Sequence, residues 1–208
     1  MLVALARSAP AAVGCSLDDP DRDIRRIYPE ATGFRTEFIT IKERGGQELA
    51  AEIERKLGDK LEPIYETTDV PFAFYTVLKG KEIIGYVHGV NQKGKFGGMQ
   101  LVLATDIEGK IIDFYYQKLS SPEARAFRDR AFTGQFVGMT LTDFYAYRSR
   151  PDSSRVGAIH NPSKKNPEDF AATLRGLTKN LILLDIFYLD RRHDTVPEKK
   201  GNDAQTIK

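Results

Sequence analysis

Residues 74–117 read FYTVLKGKEIIGYVHGVNQKGKFGGMQLVLATDIEGKIIDFYYQ, and this stretch decides the fold. Strand-like runs are separated by Lys79-Gly80-Lys81-Glu82, by the glycine-rich segment 89–98 and by Asp106-Ile107-Glu108-Gly109-Lys110. Each separator is dense in turn-forming residues, so the stretch predicts a meander of antiparallel strands. Gly97 and Gly98 stand just before a strand, where the lack of a side chain lets another group come close to the backbone.

Outward from the meander, Asp19, Pro20 and the acidic residues after them predict a short helix over 18–28, with Ile24 and Ile27 as its apolar side. Residues 34–41 read as a strand with Phe34, Phe38 and Ile41 buried. Leu49, Ile53 and Leu57 recur four apart ahead of Gly58, which predicts a helix closed by that glycine. Residues 61–65 read as a short edge segment broken by Pro63. On the other side, Ser121-Pro122-Glu123 predicts a helix to about Ala131, residues 133–143 read as a loop and packed turn, and 148–165 as a long loop. Asn166-Pro167-Glu168-Asp169 then opens the longest helix, on which Phe170, Leu174, Leu177, Leu181 and Leu184 form one apolar stripe. The fold class is α+β: an antiparallel meander flanked by helices, with a long amphipathic C-terminal helix. The chain divides into an apolar arm (1–17), a helical and strand extension (18–70), the main domain (71–189) and a polar tail (190–208).

Composition excludes several classes. Lys and Arg number 31 against 29 Asp and Glu, a net charge of +2, too small to indicate nucleic acid or an anionic membrane surface. The single cysteine excludes an internal disulfide and a cysteine-based metal cluster, and the three histidines show no ligand spacing. Ala12-Val13-Gly14-Cys15 loosely resembles the lipobox of bacterial lipoproteins. No basic residue precedes the apolar run, however, and a partner-bound or disordered arm is the simpler reading. No serine-nucleophile, metalloprotease or paired-carboxylate pattern is present.

The glycine-rich segment could cradle a phosphate, but it matches neither the P-loop nor the dinucleotide spacing, and a hairpin with a bulge is the bland alternative. The loop 156–163 precedes the long helix, where a helix N-terminus favours an anion, and its His160 is a candidate contact. His88 reads as a packed or outward-facing strand residue, the aromatics of the meander as packing, and Arg125, Arg128 and Arg130 as a solvated helix face.

These pieces in this order resemble the FMN-binding domain of the flavin-carrying subunits of Rnf and sodium-pumping quinone reductase complexes and of the nitrous-oxide-respiration regulator. The pieces are Phe96-Gly97-Gly98, Ala104-Thr105-Asp106 with Gly109-Lys110-Ile111, the polar loop Lys118 to Pro122, and Gly134-Gln135-Phe136-Val137-Gly138. The family's Ser/Thr-Gly-Ala-Thr motif, whose last threonine carries FMN as a phosphoester, corresponds here to Val156-Gly157-Ala158-Ile159, and isoleucine cannot form that ester. Val137-Gly138-Met139-Thr140 keeps a threonine but does not open the long helix. The resemblance implies non-covalent FMN between Gly97 and Gly98 on one side and Gly157, Ala158, Ile159, His160 and Asn161 on the other, with Ser120 and Ser121 in the polar rim. It also implies partners among the protein subunits of a membrane electron-transfer complex, an extracytoplasmic or periplasmic setting, and membrane association through those partners or through a lipidated Cys15. The alternative is a non-enzymatic accessory subunit that kept the fold and lost the flavin; a cytosolic small-molecule domain is a third reading.

Overall fold

The computed structural model describes residues 15–163 and 165–193, so the apolar arm before Cys15 and the polar tail after His193 lie outside the described residues. Strands β1 (Gly33–Ile39), β2 (Phe72–Lys79), β3 (Glu82–Gly94), β4 (Gly97–Thr105) and β5 (Ile111–Leu119) lie in chain order across one antiparallel sheet. Helices α1 (Pro20–Ile27), α2 (Ile41–Arg44), α3 (Gly46–Leu57), α4 (Ala124–Arg128), α5 (Arg130–Thr133), α6 (Leu141–Ser149) and α7 (Pro167–Tyr188) flank it. The architecture is α+β, as the alternation of residues 74–117 implies.

The glycine-rich segment is not a loop. β3 and β4 pair without a break from Tyr86↔Thr105 to Gly94↔Gly97, which leaves only Lys95 and Phe96 as a two-residue turn. Gly97 takes φ +130°, a backbone conformation that side chains disfavour. The register shifts lie elsewhere, between Val77 and Leu78 on β2 and at Gln100/Leu101 and Ala104/Thr105 on β4.

One sheet face carries the main core. Phe74, Val90, Leu101, Leu103, Phe114 and Tyr116 meet α3, α6 and α7 there, with Phe127, Phe132 and Phe136 packed edge to face beneath β5. The expected single stripe on α7 is too narrow: every residue from 176 to 186 is buried, because the helix is wedged between the sheet, α3 and α6. The opposite face is smaller and is closed by Leu17, Ile24 and Tyr28 over Tyr75, Val87, Val102 and Ala104. Tyr28 also donates its hydroxyl to the Thr105 carbonyl at 2.6 Å, which ties α1 to β4. Cys15 is buried on this face against Gly89, and burial pushes its thiol up to about 12. Acylation would require that sulfur to leave its packing.

Other expectations are corrected. Residues 61–65 hold no strand, and 63–65 form a turn, since Pro63 has no place in a ladder. The helix expected over 122–131 is two short ones, because Asp129 caps α5 through the Ala131 N–H (2.8 Å) and so interrupts the first. Residues 141–149 are helical, although 141–143 read as part of a packed turn and 148–149 as loop; Asp143 reaches back to the Thr140 N–H (2.8 Å) as a capping box. Phe38, expected in the core, is 57% exposed, because β1 is the sheet edge and nothing described covers that end.

His88 is packed, as one of its two readings had it. Its ring stacks on Phe74 with centroids 3.9 Å apart, and burial pushes its pKa down to about 3 against a weaker opposing pull from the Ala73 backbone. A base whose folded pKa lies below its ordinary value near 6.5 contributes stability that is complete above that value and is lost as pH falls toward 3. Wild type should therefore lose about 1.4 kcal/mol per pH unit in this window beyond the loss shown by His88→Phe. Urea unfolding of both proteins from neutral pH to pH 4 measures it; parallel profiles would contradict the assignment.

Candidate functional site

The site builds from the head of α7. Asn166 accepts the Asp169 N–H (3.3 Å) as N-cap, Pro167 needs no donor, and Glu168 takes its own amide through its carboxylate. Asp169, the third helical residue, is fully buried. Its carboxylate accepts the Lys95 N–H at 2.8 Å and the Asn166 side-chain amide, while Lys95 Nζ pairs with Glu168 at 2.9 Å. The β3–β4 turn is thus held onto the positive end of the helix dipole by two acidic side chains.

Around this latch the structure gathers four of the nine expected residues, Gly97, Gly98, Ser120 and Ser121. Gly97 faces Ser120, whose Cβ lies 3.3 Å from where a glycine Cβ would stand. Gly98 is covered by the Tyr65 ring at 3.1 Å on the same measure. Ser121 Oγ accepts the Glu123 N–H (3.3 Å) and lies 3.5 Å from the Asn166 amide nitrogen. Glu123 in turn accepts the hydroxyl of Ser163, which caps the Asn166 N–H (2.8 Å).

The other expected residues form a second locus. Gly157 sits in a one-turn 3-10 helix, and a Cβ there would collide with the Pro151 carbonyl oxygen, so its closeness is to the chain itself. Ala158 is exposed and Ile159 turns its side chain into the core at 9% exposure. Gln135 clamps His160, accepting its N–H (2.9 Å) and donating to its carbonyl (3.4 Å), while Asn161 Oδ1 accepts the Ser163 N–H (2.9 Å). A cavity of about 310 Å³ lies here, lined by Gln135, His160, Asn161, Pro162, Phe132 and Asp129. The segments 134–138 and 156–161, read separately in the sequence, are therefore neighbours. Thr140, the threonine of Val137-Gly138-Met139-Thr140, is occupied as the cap of α6.

Sequence reasoning missed the cations of α7. Lys179 is buried, and its ammonium meets the Glu66 carboxylate and the Asn91 carbonyl. Arg175 grips both oxygens of Glu66 (2.7 and 3.1 Å) and the Gln92 side chain (2.8 Å). Burial pushes Lys179 down to about 8; burial also raises Glu66, yet the two cations together hold it below its usual range. This network fastens residues 59–66 to α7 and so places Tyr65 over Gly98. The signal was an arginine and a lysine four apart within the stretch of α7 that carries the apolar stripe. The arginines of α4 and α5 also do more than face solvent: Arg128 donates to the Tyr116 carbonyl, and Arg130, with Arg26, pairs with Asp113 on β5.

Among the described residues no group of His, Cys, Asp or Glu could hold a metal ion, and no helix is long and apolar enough to cross a membrane. No protein-family model matches the chain, and no curated protein matches it.

Glu66→Gln should cost about 3 kcal/mol of unfolding free energy, since it leaves the buried Lys179 without its counter-charge, while Arg175 keeps Asp59 (2.8 Å). Lys179→Met should cost about 1 kcal/mol or less, because Arg175 still neutralises Glu66. Urea denaturation ranks the two; a larger loss for Lys179→Met would contradict the network described.

Proposed function

We propose that the chain is a non-enzymatic accessory domain that keeps an FMN-binding-domain arrangement while its own side chains take the flavin's place, and that it serves as a protein subunit of a larger assembly. The observation that carries this reading is Asp169. A buried carboxylate already bonded to the Lys95 N–H occupies the helix head where a flavin phosphate is expected, and a second negative charge there is unfavourable. The remaining residues fit FMN no better: Ile159 is aliphatic and turned inward, Tyr65 and Ser120 cover the paired glycines, and Gly157 packs on Pro151. The resemblance to flavin-carrying subunits makes a membrane electron-transfer assembly, on its extracytoplasmic side, the proposed host. A second reading, FMN held non-covalently, has the 310 Å³ cavity beside Phe132 and His160 in its favour.

Titration of FMN into the purified chain, followed by flavin fluorescence, separates the two. The accessory reading predicts no saturable quenching and no rise in melting temperature. Saturable quenching that Phe132→Ala abolishes would replace it with the flavin-binding reading.

A further inference from the structure

β1 ends the sheet, and Arg35, Thr36, Glu37 and Phe38 along it are all exposed. The strand reads Gly33-Phe34-Arg35-Thr36-Glu37-Phe38-Ile39, a sequence that is complementary to itself about Thr36. The Leu78 carbonyl is turned toward β1, where it accepts the Thr32 N–H at 2.8 Å; by strand alternation the backbone groups of Phe74 and Thr76 turn the same way. Their register partners Glu37 and Arg35 therefore spend their backbone groups on β2, and those of Phe34, Thr36 and Phe38 point to the open edge.

We infer that this edge pairs with the same edge of a second copy of the chain, antiparallel about a two-fold axis at Thr36, to make one continuous sheet through both. In that register Thr36 exchanges backbone hydrogen bonds with Thr36 of the other copy, and Phe34 does so with Phe38. Arg35 then stands opposite Glu37 in the more closely spaced kind of pair, twice by symmetry. Glu37 Oε2 already accepts the Tyr188 hydroxyl at 2.5 Å, which fixes the carboxylate and leaves Oε1 for the guanidinium. Charged residues on an edge strand ordinarily keep other strands away. Here the order of the charges repels a parallel or shifted strand and attracts a copy in this one register, and the pairing also covers Phe38, which the sheet edge otherwise leaves 57% exposed. The inference does not depend on whether flavin is bound.

Sedimentation of the full chain over a range of concentrations tests it. Wild type should approach twice the mass of a single chain. Glu37→Arg and Arg35→Glu should each stay single, because each places like charges opposite one another at both symmetric positions. An equimolar mixture of the two variants should recover the double mass, since Arg35 and the new arginine of one face the two glutamates of the other. Thr36→Pro, which removes an outward N–H on an edge that tolerates proline, should abolish pairing if a charge variant fails to fold. A wild type that stays single at every concentration, single variants that pair like wild type, or a mixture that does not pair would each overturn the inference.

Discussion

The carboxylate of Asp169 is the contact on which the candidate site depends. It is buried at the start of α7, and a buried charge is tolerated only with donors around it. Two are supplied locally, by the Asn166 side chain and by the positive end of the helix, and a third comes from the Lys95 N–H some 74 residues away in sequence. That long-range bond sets the β3–β4 turn on the helix head. It also fixes the height of the next turn of α7, where Thr173 bonds the Asp169 carbonyl (2.7 Å) and meets the Tyr116 hydroxyl (2.7 Å). Sheet and helix are therefore joined by this polar contact at the head of α7, by the bonds of Arg175, Lys179 and Asn180 to Gln92, Asn91 and His88 of β3, and by apolar packing around them.

The same geometry explains why one set of glycines reads two ways. Gly97 and Gly98 make room, as their position before a strand suggests, but what comes close is Ser120 and Tyr65. Tyr65 is there because its neighbour Glu66 is drawn to Arg175 and Lys179 on α7. The helix whose N-terminus holds the β3–β4 turn thus also holds, about two to three turns further on, the loop that covers the glycines.

What was legible in the sequence is what local chemistry dictates. Asn166-Pro167-Glu168-Asp169 announces α7, and glycine-bounded alternation announces the meander. Thr140-Leu141-Thr142-Asp143 carries the capping-box signature of α6, but Gly134 and Gly138 just before it give the stretch the composition of a loop. The partners of the buried polar groups were not legible, because Lys95 with Asp169 and Glu66 with Lys179 are joined only when the sheet is folded against α7. Phe38 was misplaced for a related reason: alternation says which face a strand residue points to, not whether anything covers that face. Segments 134–138 and 156–161 are neighbours through Gln135 and His160, a contact between side chain and backbone that no spacing in the sequence announces, and Gly157 and Gly97 occupy separate loci.

The most direct test of the closed helix head is native-state amide hydrogen exchange at Lys95. Lys95 is exposed and lies in a two-residue turn, a setting in which an unbonded amide exchanges rapidly. The account predicts strong protection of this amide in the wild type and its loss in Asp169→Ala, while the amides of β3 and β4 away from the turn stay protected. Rapid exchange of the Lys95 amide in the wild type, or protection unchanged by Asp169→Ala, would contradict it.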